Sequence, residues 1–167
     1  MTETNFNKYF DYYIELVNSS KPIDALHETK DVFNGLLETI DDERGIYHYE
    51  DGKWSIKEVI SHVIDAERVF AYRAMSFARN DKTNLAGFDD KYYAKNSGAN
   101  KRSIAQLREE FDMLRNSSIA LFHSFDENMW SREGEANNIT IDVKSIAYLI
   151  AGHCHHHGNI LKERYEV

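Results

Sequence analysis

Residues 152–159 read Gly152-His153-Cys154-His155-His156-His157-Gly158-Asn159, and four of the eight histidines fall within five positions. The stretch lies inside a long apolar-periodic segment. At helical spacing His153 and His157 share one face, with β-carbons about 6 Å apart, a span that two imidazoles can close around one metal ion. Each buried imidazole has a donor and an acceptor to satisfy. A shared cation satisfies one nitrogen of each; two core histidines bonded to other helices or to water would meet the same need without one. His156, three residues after His153, lies beside this face. It is an alternative ligand to His157 or a base behind the ligands. His155 is about 160° from His157 at 100° per residue and should point outward. Cys154 is rotated off the face, so packing is its expected role, although a thiolate is a good ligand.

A third ligand must come from another element. His62 sits three residues after Val59 and four before Ala66, a core-facing position on a second periodic segment. Three histidines would leave coordination positions open for water or substrate, the pattern of a catalytic rather than a closed structural site. Asp65 and Glu58 flank His62 at i+3 and i−4. They could orient its imidazole from behind or simply be solvated. His27, His48 and His123 are scattered and read as surface or cap residues.

The elements that must position these groups are helical. One proline and eight glycines in 167 residues favour long helices over many short strands. Phe6, Phe10, Tyr13 and Val17 mark a short N-terminal helix over 5–18, closed by the turn to Pro22. A second helix starts near Asp24, with Leu26, Phe33, Leu36, Leu37 and Ile40 inward and Lys30 interrupting the stripe. Trp54 is expected as a plug at the bundle end. Ser55 with Glu58 forms a capping box that opens a third helix reaching about Arg79, and Ser103 with Gln106 opens a fourth. The fourth carries Leu107, Phe111, Leu114, Ser118, Leu121 and Phe125 at heptad-like spacing. The last helix, capped near Asp142, has the seam Ile146, Ile150, His153, His157, Ile160 and Arg164. Residues 80–101 are an irregular stretch with Phe88, Tyr92 and Tyr93, read either as a lid or binding loop or as a loop pinned by its own aromatics. Asp126 to Asn138 reads as a polar connection. The fold class is therefore all-α: an antiparallel four-helix bundle in one domain over 1–167, with one longer crossover allowed.

Several function classes are excluded. A formal charge of −8 argues against nucleic acid as partner. No run of about 18 apolar residues exists to span a membrane. The N-terminus lacks the basic and apolar regions of a signal peptide, and the single cysteine rules out an internal disulfide; both fit the cytoplasm. There is no phosphate loop and no nucleophile elbow.

The block from Gly52-Lys53-Trp54-Ser55 through Glu58 to His62, then Asp65-Ala66-Glu67-Arg68, resembles the DinB-like superfamily. So do Phe70-Ala71-Tyr72-Arg73, Phe77-Ala78-Arg79, Leu85-Ala86-Gly87-Phe88-Asp89, and the C-terminal run Ala151-Gly152-His153, His156-His157 and Ile160 to Tyr165. The resemblance covers nearly the whole chain. It implies a four-helix bundle with a divalent metal, zinc or nickel, held by His62 from the W-S-x-x-E-x-x-x-H block and by His153 and His157 from the H-x-x-x-H block. It also implies a homodimer, and either hydrolysis or transfer of a low-molecular-weight thiol such as bacillithiol or mycothiol to a small electrophilic substrate. Cys154 and His155 add potential ligands beside the usual pair. Tyr72 and Arg73, three turns beyond His62, are candidate substrate contacts. The rival reading is a non-catalytic metal- or ligand-binding bundle. The helical facing makes one separate prediction: His155→Ala should leave metal content unchanged by elemental analysis, whereas metal loss would show that the last helix presents another face.

Overall fold

Pro22 begins a helix rather than only ending the segment before it. Its fixed φ suits the first helical position, where a missing N–H costs nothing. In this computed structural model, which describes residues 11–167, α1 runs from Pro22 to Leu37, slightly ahead of its expected start. Then follow α2 (Ile56–Ala78), α3 (Asp90–Asn96), α4 (Ile104–His123), α5 (Glu127–Trp130), β1 (Glu133–Ala136), β2 (Ile139–Asp142) and α6 (Val143–Tyr165). Phe6, Tyr9 and Phe10 of the expected N-terminal helix lie outside the described residues, and residues 11–15 are helical.

Local chemistry sets the helix ends. Both capping boxes form: Ser55 accepts from the Glu58 N–H and Ser103 from the Gln106 N–H, and each N3 side chain bonds back. Asp142 caps α6 by accepting from the Ser145 N–H at 2.7 Å. At the end of α2, Asn80 takes a left-handed φ of 64°. The Asp81 N–H then reaches the Ser76 carbonyl and the Asn80 N–H the Phe77 carbonyl, a Schellman closure.

The expected four-helix bundle is the observed architecture. Helices α1 and α2 each pack against both α4 and α6, so α1 lies diagonally from α2. Thr29 meets Cys154 and Phe33 meets Gly158, so α1 and α6 run parallel. Asn34 bonds Asp112 and Glu38 bonds Arg108, so α1 and α4 are antiparallel. Glu58 faces Asn100 and Glu67 faces Arg115, so α2 and α4 share a direction. Tyr165 meets Trp54 and His153 meets His62, so α2 and α6 are antiparallel. Two consecutive parallel helices require a return along the bundle, and a 23-residue helix spans about 34 Å. That return is the long stretch after α2. It contains α3 and packs on α2.

Asp126 to Asn138 is more ordered than a polar connection. It holds α5 and most of an antiparallel hairpin, with Ala136 paired to Ile139. Asn137 and Asn138 both have positive φ (53° and 62°), the requirement of a tight two-residue turn with the right twist. Gly134 lies against the Phe77 ring, where a β-carbon would come within 2.0 Å of it. Leu85 joins the hairpin through its N–H to Glu135 and its carbonyl from Asn137, which anchors the crossover.

The seams drift from the heptad pattern. Beyond Phe111 on α4, Arg115 and Phe122 are fully buried while Leu114 and Leu121 are only partly buried; on α6, Leu161 and Tyr165 replace Ile160 and Arg164. A straight helix rotates about 20° per heptad against a 3.5-residue repeat, so the inward face passes to the next residue. Lys30 interrupts α1 because it reaches across to Asp112 (3.1 Å) and Asn116 (2.8 Å) on α4.

The core is two apolar clusters. One is built around Phe70, Phe77, Phe122 and Ile150, the other around Phe33, Ile60, Phe111 and Leu161. Between their levels on the four helices lie buried polar groups: Thr29, Glu67, Arg115, Ser118 and the histidines. The Arg115 Nε bonds both Glu67 oxygens at 2.9 and 3.0 Å, and its Nη1 donates to the Leu26 carbonyl and Thr29 Oγ1. Burial works against the guanidinium charge, but the Glu67 carboxylate outweighs it and holds Arg115 ionised. Among the described residues no helix is long and apolar enough to cross a membrane. Arg115→Leu would leave the Glu67 carboxylate buried without its partner and should cost about 3–5 kcal/mol in urea unfolding. The double change Glu67→Met/Arg115→Met should recover most of that loss.

Candidate metal centre

His62 lies in the second turn of α2, whose start is fixed by the Ser55 capping box. Trp54, immediately before that cap, packs against this end of the core and also reaches the site. Its ring lies 4.8 Å from the His62 ring, and its backbone carbonyl accepts from Tyr165 Oη at 2.7 Å. This bond ties the start of α2 to the end of α6. The antiparallel pair then brings His62 opposite His153 and His157.

The three rings form a near-equilateral triangle, with centroids 4.9 Å (62–153), 4.7 Å (62–157) and 4.5 Å (153–157) apart. One nitrogen from each ring lies within 4.8 Å of the others, and the two Nε2 atoms of His62 and His153 are 3.0 Å apart. All three residues are buried. Burial pushes the His62 pKa down to about 4. Burial, reinforced by the neighbouring imidazoles, holds His153 and His157 well below the usual histidine range. The rings are therefore neutral at physiological pH and offer lone pairs. His157 Nδ1 is buried with no hydrogen-bond partner, a costly condition unless something else uses it. Three convergent neutral imidazoles fit a borderline divalent ion such as zinc or nickel.

The other candidate residues fall outside this triangle. His156 is half-buried, and its Nδ1 lies 3.2 Å from Tyr12 Oη. His155 is also half-buried and outside the cluster. Cys154 is buried, its thiol near the Thr29 carbonyl (3.9 Å), and burial pushes its pKa up to about 11. Asp65 is 3.5 Å from Arg68, and burial raises its carboxyl. Glu58 accepts from the Ser55 N–H (2.8 Å) and from Asn100 (3.3 Å). Tyr72 is exposed. Arg73 is buried, with its Nη2 donating to the Ala86 carbonyl of the crossover (2.9 Å); its guanidinium lies 6.0 Å from the Phe70 ring, which lies 5.8 Å from that of His153. His27, His48 and His123 are exposed.

One feature of the site was not anticipated, and a second bears on the reading of residues 80–101. Gly152 lets residues 11–15 approach α6: a β-carbon there would sit 1.8 Å from the Tyr13 carbonyl oxygen. The Tyr13 ring then covers His153 (5.5 Å) and His156 (5.2 Å). A glycine directly before the first histidine was the available signal. Beyond His157, a cleft of about 820 Å³ opens between the 48–54 turn, α3 and the end of α6, lined by Trp54, Glu58, Asp90, Lys91 and Tyr165 among others. The crossover thus borders the site, in line with the lid or binding-loop reading of residues 80–101.

The sequence profile of the DinB superfamily matches residues 25–161. The chain belongs to the DinB superfamily. Its structure is similar to YfiT from Bacillus subtilis, a probable metal-dependent hydrolase with an unusual four-helix bundle topology. The TM-score is 0.78 at 18% identity, covering 87% of this chain and 84% of YfiT. It is also similar to a mycothiol-dependent maleylpyruvate isomerase, with a TM-score of 0.70 at 15% identity, covering 83% of this chain and 58% of that one. No curated protein matches the chain by sequence.

The depressed His62 pKa carries a consequence for the metal-free DinB-superfamily chain. The unfolded state binds a proton near pH 6.5, while the folded state resists it down to about 4. Stability is then fully present above pH 6.5 and falls as pH drops toward 4. The thermal midpoint of metal-free protein should decrease between pH 7 and 5; a flat profile would contradict burial of a neutral His62.

Proposed function

We propose that this chain is a divalent-metal-dependent enzyme, a thiol S-transferase or hydrolase that acts on a small electrophile at His62, His153 and His157. The observation that carries the reading is the convergence of one nitrogen from each of three buried, neutral imidazoles within 4.8 Å of one another, beside an open cleft. A closed structural site would supply a fourth protein ligand. When bound, the metal, zinc or nickel, lowers the pKa of a water or thiol and so makes a nucleophile at neutral pH.

The chain's own residues then do three things. The imidazoles hold the ion from three sides. Phe70 and Tyr13, packed on His153, and Trp54, packed on His62, exclude water and keep the rings neutral. The cleft beside His157 admits the electrophile, with aromatic surface from Trp54, Tyr49 and Tyr165 and charged side chains at its rim. The similarity to a metal-dependent hydrolase and to a mycothiol-dependent isomerase supports both branches of the reading, with bacillithiol or a related low-molecular-weight thiol as co-substrate in the transfer branch. We also assign a homodimer and cytoplasmic action on small molecules.

The test is metal content followed by turnover. His153→Ala should lose about one equivalent of divalent metal per chain, and undiminished metal would sink the ligand assignment. Wild-type protein should then accelerate either thiol conjugation or ester hydrolysis across a panel of electrophiles, and metal removal should abolish the rate.

A further inference from the structure

We propose that the cleft beside the three histidines takes an electron-poor, planar aromatic substrate, and that Trp54 is the residue on which this ring stacks. The proposal names the substrate class for the metal-centre reading above and rests on it. Apart from His157, Trp54 is the only described residue of the cleft lining in ring contact with the histidine triangle. Its ring lies 4.8 Å from that of His62, at an interplanar angle of 41°. It is half-buried, so part of the indole stays open to the cleft that it lines. A ring placed on it therefore lies alongside the histidines.

Measured contacts extend this surface away from His62 and fix it in place. Tyr165 Oη donates to the Trp54 carbonyl at 2.7 Å, and the Ser55 capping box holds the next residue. The Tyr165 ring meets the half-buried Tyr49 ring edge-on at 4.9 Å. The turn that carries Tyr49 is pinned as well. His48 Nδ1 lies 2.7 Å from the Lys53 carbonyl, and the Lys53 N–H reaches the Glu50 carbonyl at 3.2 Å. Gly52 supplies the left-handed φ of 78° that this turn needs. Lys53 Nζ and the Arg164 guanidinium stand 6.0 and 5.9 Å from the centre of the Tyr49 ring. The aromatic wall is thus set before a ligand arrives, which lowers the ordering cost of binding.

Charge does not select the ligand. Three lysines and four carboxylates line the same cleft and nearly cancel. Ring electrostatics does select. The face of an aromatic ring is negative and its edge positive, so stacked rings gain more than the area they bury. A ring drained of electrons by nitro, carbonyl or halide groups complements the indole face better than a saturated chain of equal size. The same substituents make a ring carbon or an attached carbonyl electrophilic, as the reaction at the three histidines requires.

The probe is meta-dinitrobenzene, a planar, electron-poor ring with no leaving group, measured by equilibrium dialysis against full-length protein, both metal-free and loaded with cobalt(II). Wild-type protein should bind it, an equal concentration of cyclohexanol should not displace it, and binding should alter the visible spectrum of the bound cobalt. Trp54→Leu should weaken binding about tenfold, and Trp54→Phe should keep most of it because a ring face remains. Tyr49→Leu, on the turn outside the helices, should weaken it about threefold and keeps the test decisive where Trp54→Leu does not fold. Absence of binding to wild-type protein overturns the proposal, as does displacement by cyclohexanol. So does wild-type affinity in whichever leucine variant folds, or a cobalt spectrum that the bound ring leaves unaltered. A wild-type protein that binds the ring through Trp54 but takes up no cobalt supports the aromatic site and strikes at the metal-centre reading instead.

Discussion

The register between α2 and α6 is the constraint on which the rest depends. Three imidazoles from two helices converge only if the helices run antiparallel and neither slides by a turn. Both helix starts are fixed chemically, by Ser55 with Glu58 and by Asp142. At one end the Tyr165 hydroxyl bonds the Trp54 carbonyl. At the other, Arg132 bonds the Ala78 carbonyl, and Gly134 seats the hairpin on Phe77. A slip of one turn, about 5.4 Å, would separate His62 from its partners by more than their present ring spacing.

The bundle accepts a thermodynamic cost at its middle. Two apolar clusters supply hydrophobic burial, yet the layer between them holds Thr29, Glu67, Arg115 and neutral histidines. Desolvating such groups is unfavourable unless each finds a partner. Arg115 finds Glu67, Thr29 and the Leu26 carbonyl, and these contacts tie α4 to α1 and α2 at the level of the site. The histidines only partly satisfy one another, and His157 Nδ1 has no partner. Ser118 Oγ is likewise unpartnered, so what sets the histidines apart is the convergence of one nitrogen from each of three buried rings. Tertiary context thus turns one side of the layer into a brace and gathers the three imidazoles on the other.

Much of this was legible in the sequence because it is local. The i, i+4 spacing of His153 and His157, the place of His156 beside that pair, and both capping boxes follow from helix geometry alone. His62 was legible as a core-facing position. Other features depend on what lies opposite. Arg115 looks like an ordinary helix-surface charge beside Leu114 until Glu67 is set against it, and only the drift of a straight helix turns it inward. Periodicity has no direction, so the parallel course of α2 and α4 could not be read; the lid or binding-loop reading of residues 80–101 put that stretch near a site without showing that a helix, α3, borders the cleft. The hairpin was missed because its strands are four residues long and its turn is Asn137-Asn138 rather than a glycine turn. Arg73 shows the converse: its position beyond His62 suggested substrate contact, whereas its visible partner is the Ala86 carbonyl of the crossover.

The central claim is that three histidines from α2 and α6 form one open metal centre. The most direct measurement is anomalous diffraction at the zinc or nickel edge from crystals of metal-loaded protein. The account predicts a single site per chain, about 2.0–2.1 Å from one nitrogen each of His62, His153 and His157, with a remaining coordination position toward the cleft. A peak bound by His155, His156 or Cys154, or one closed by a fourth protein ligand, would contradict it.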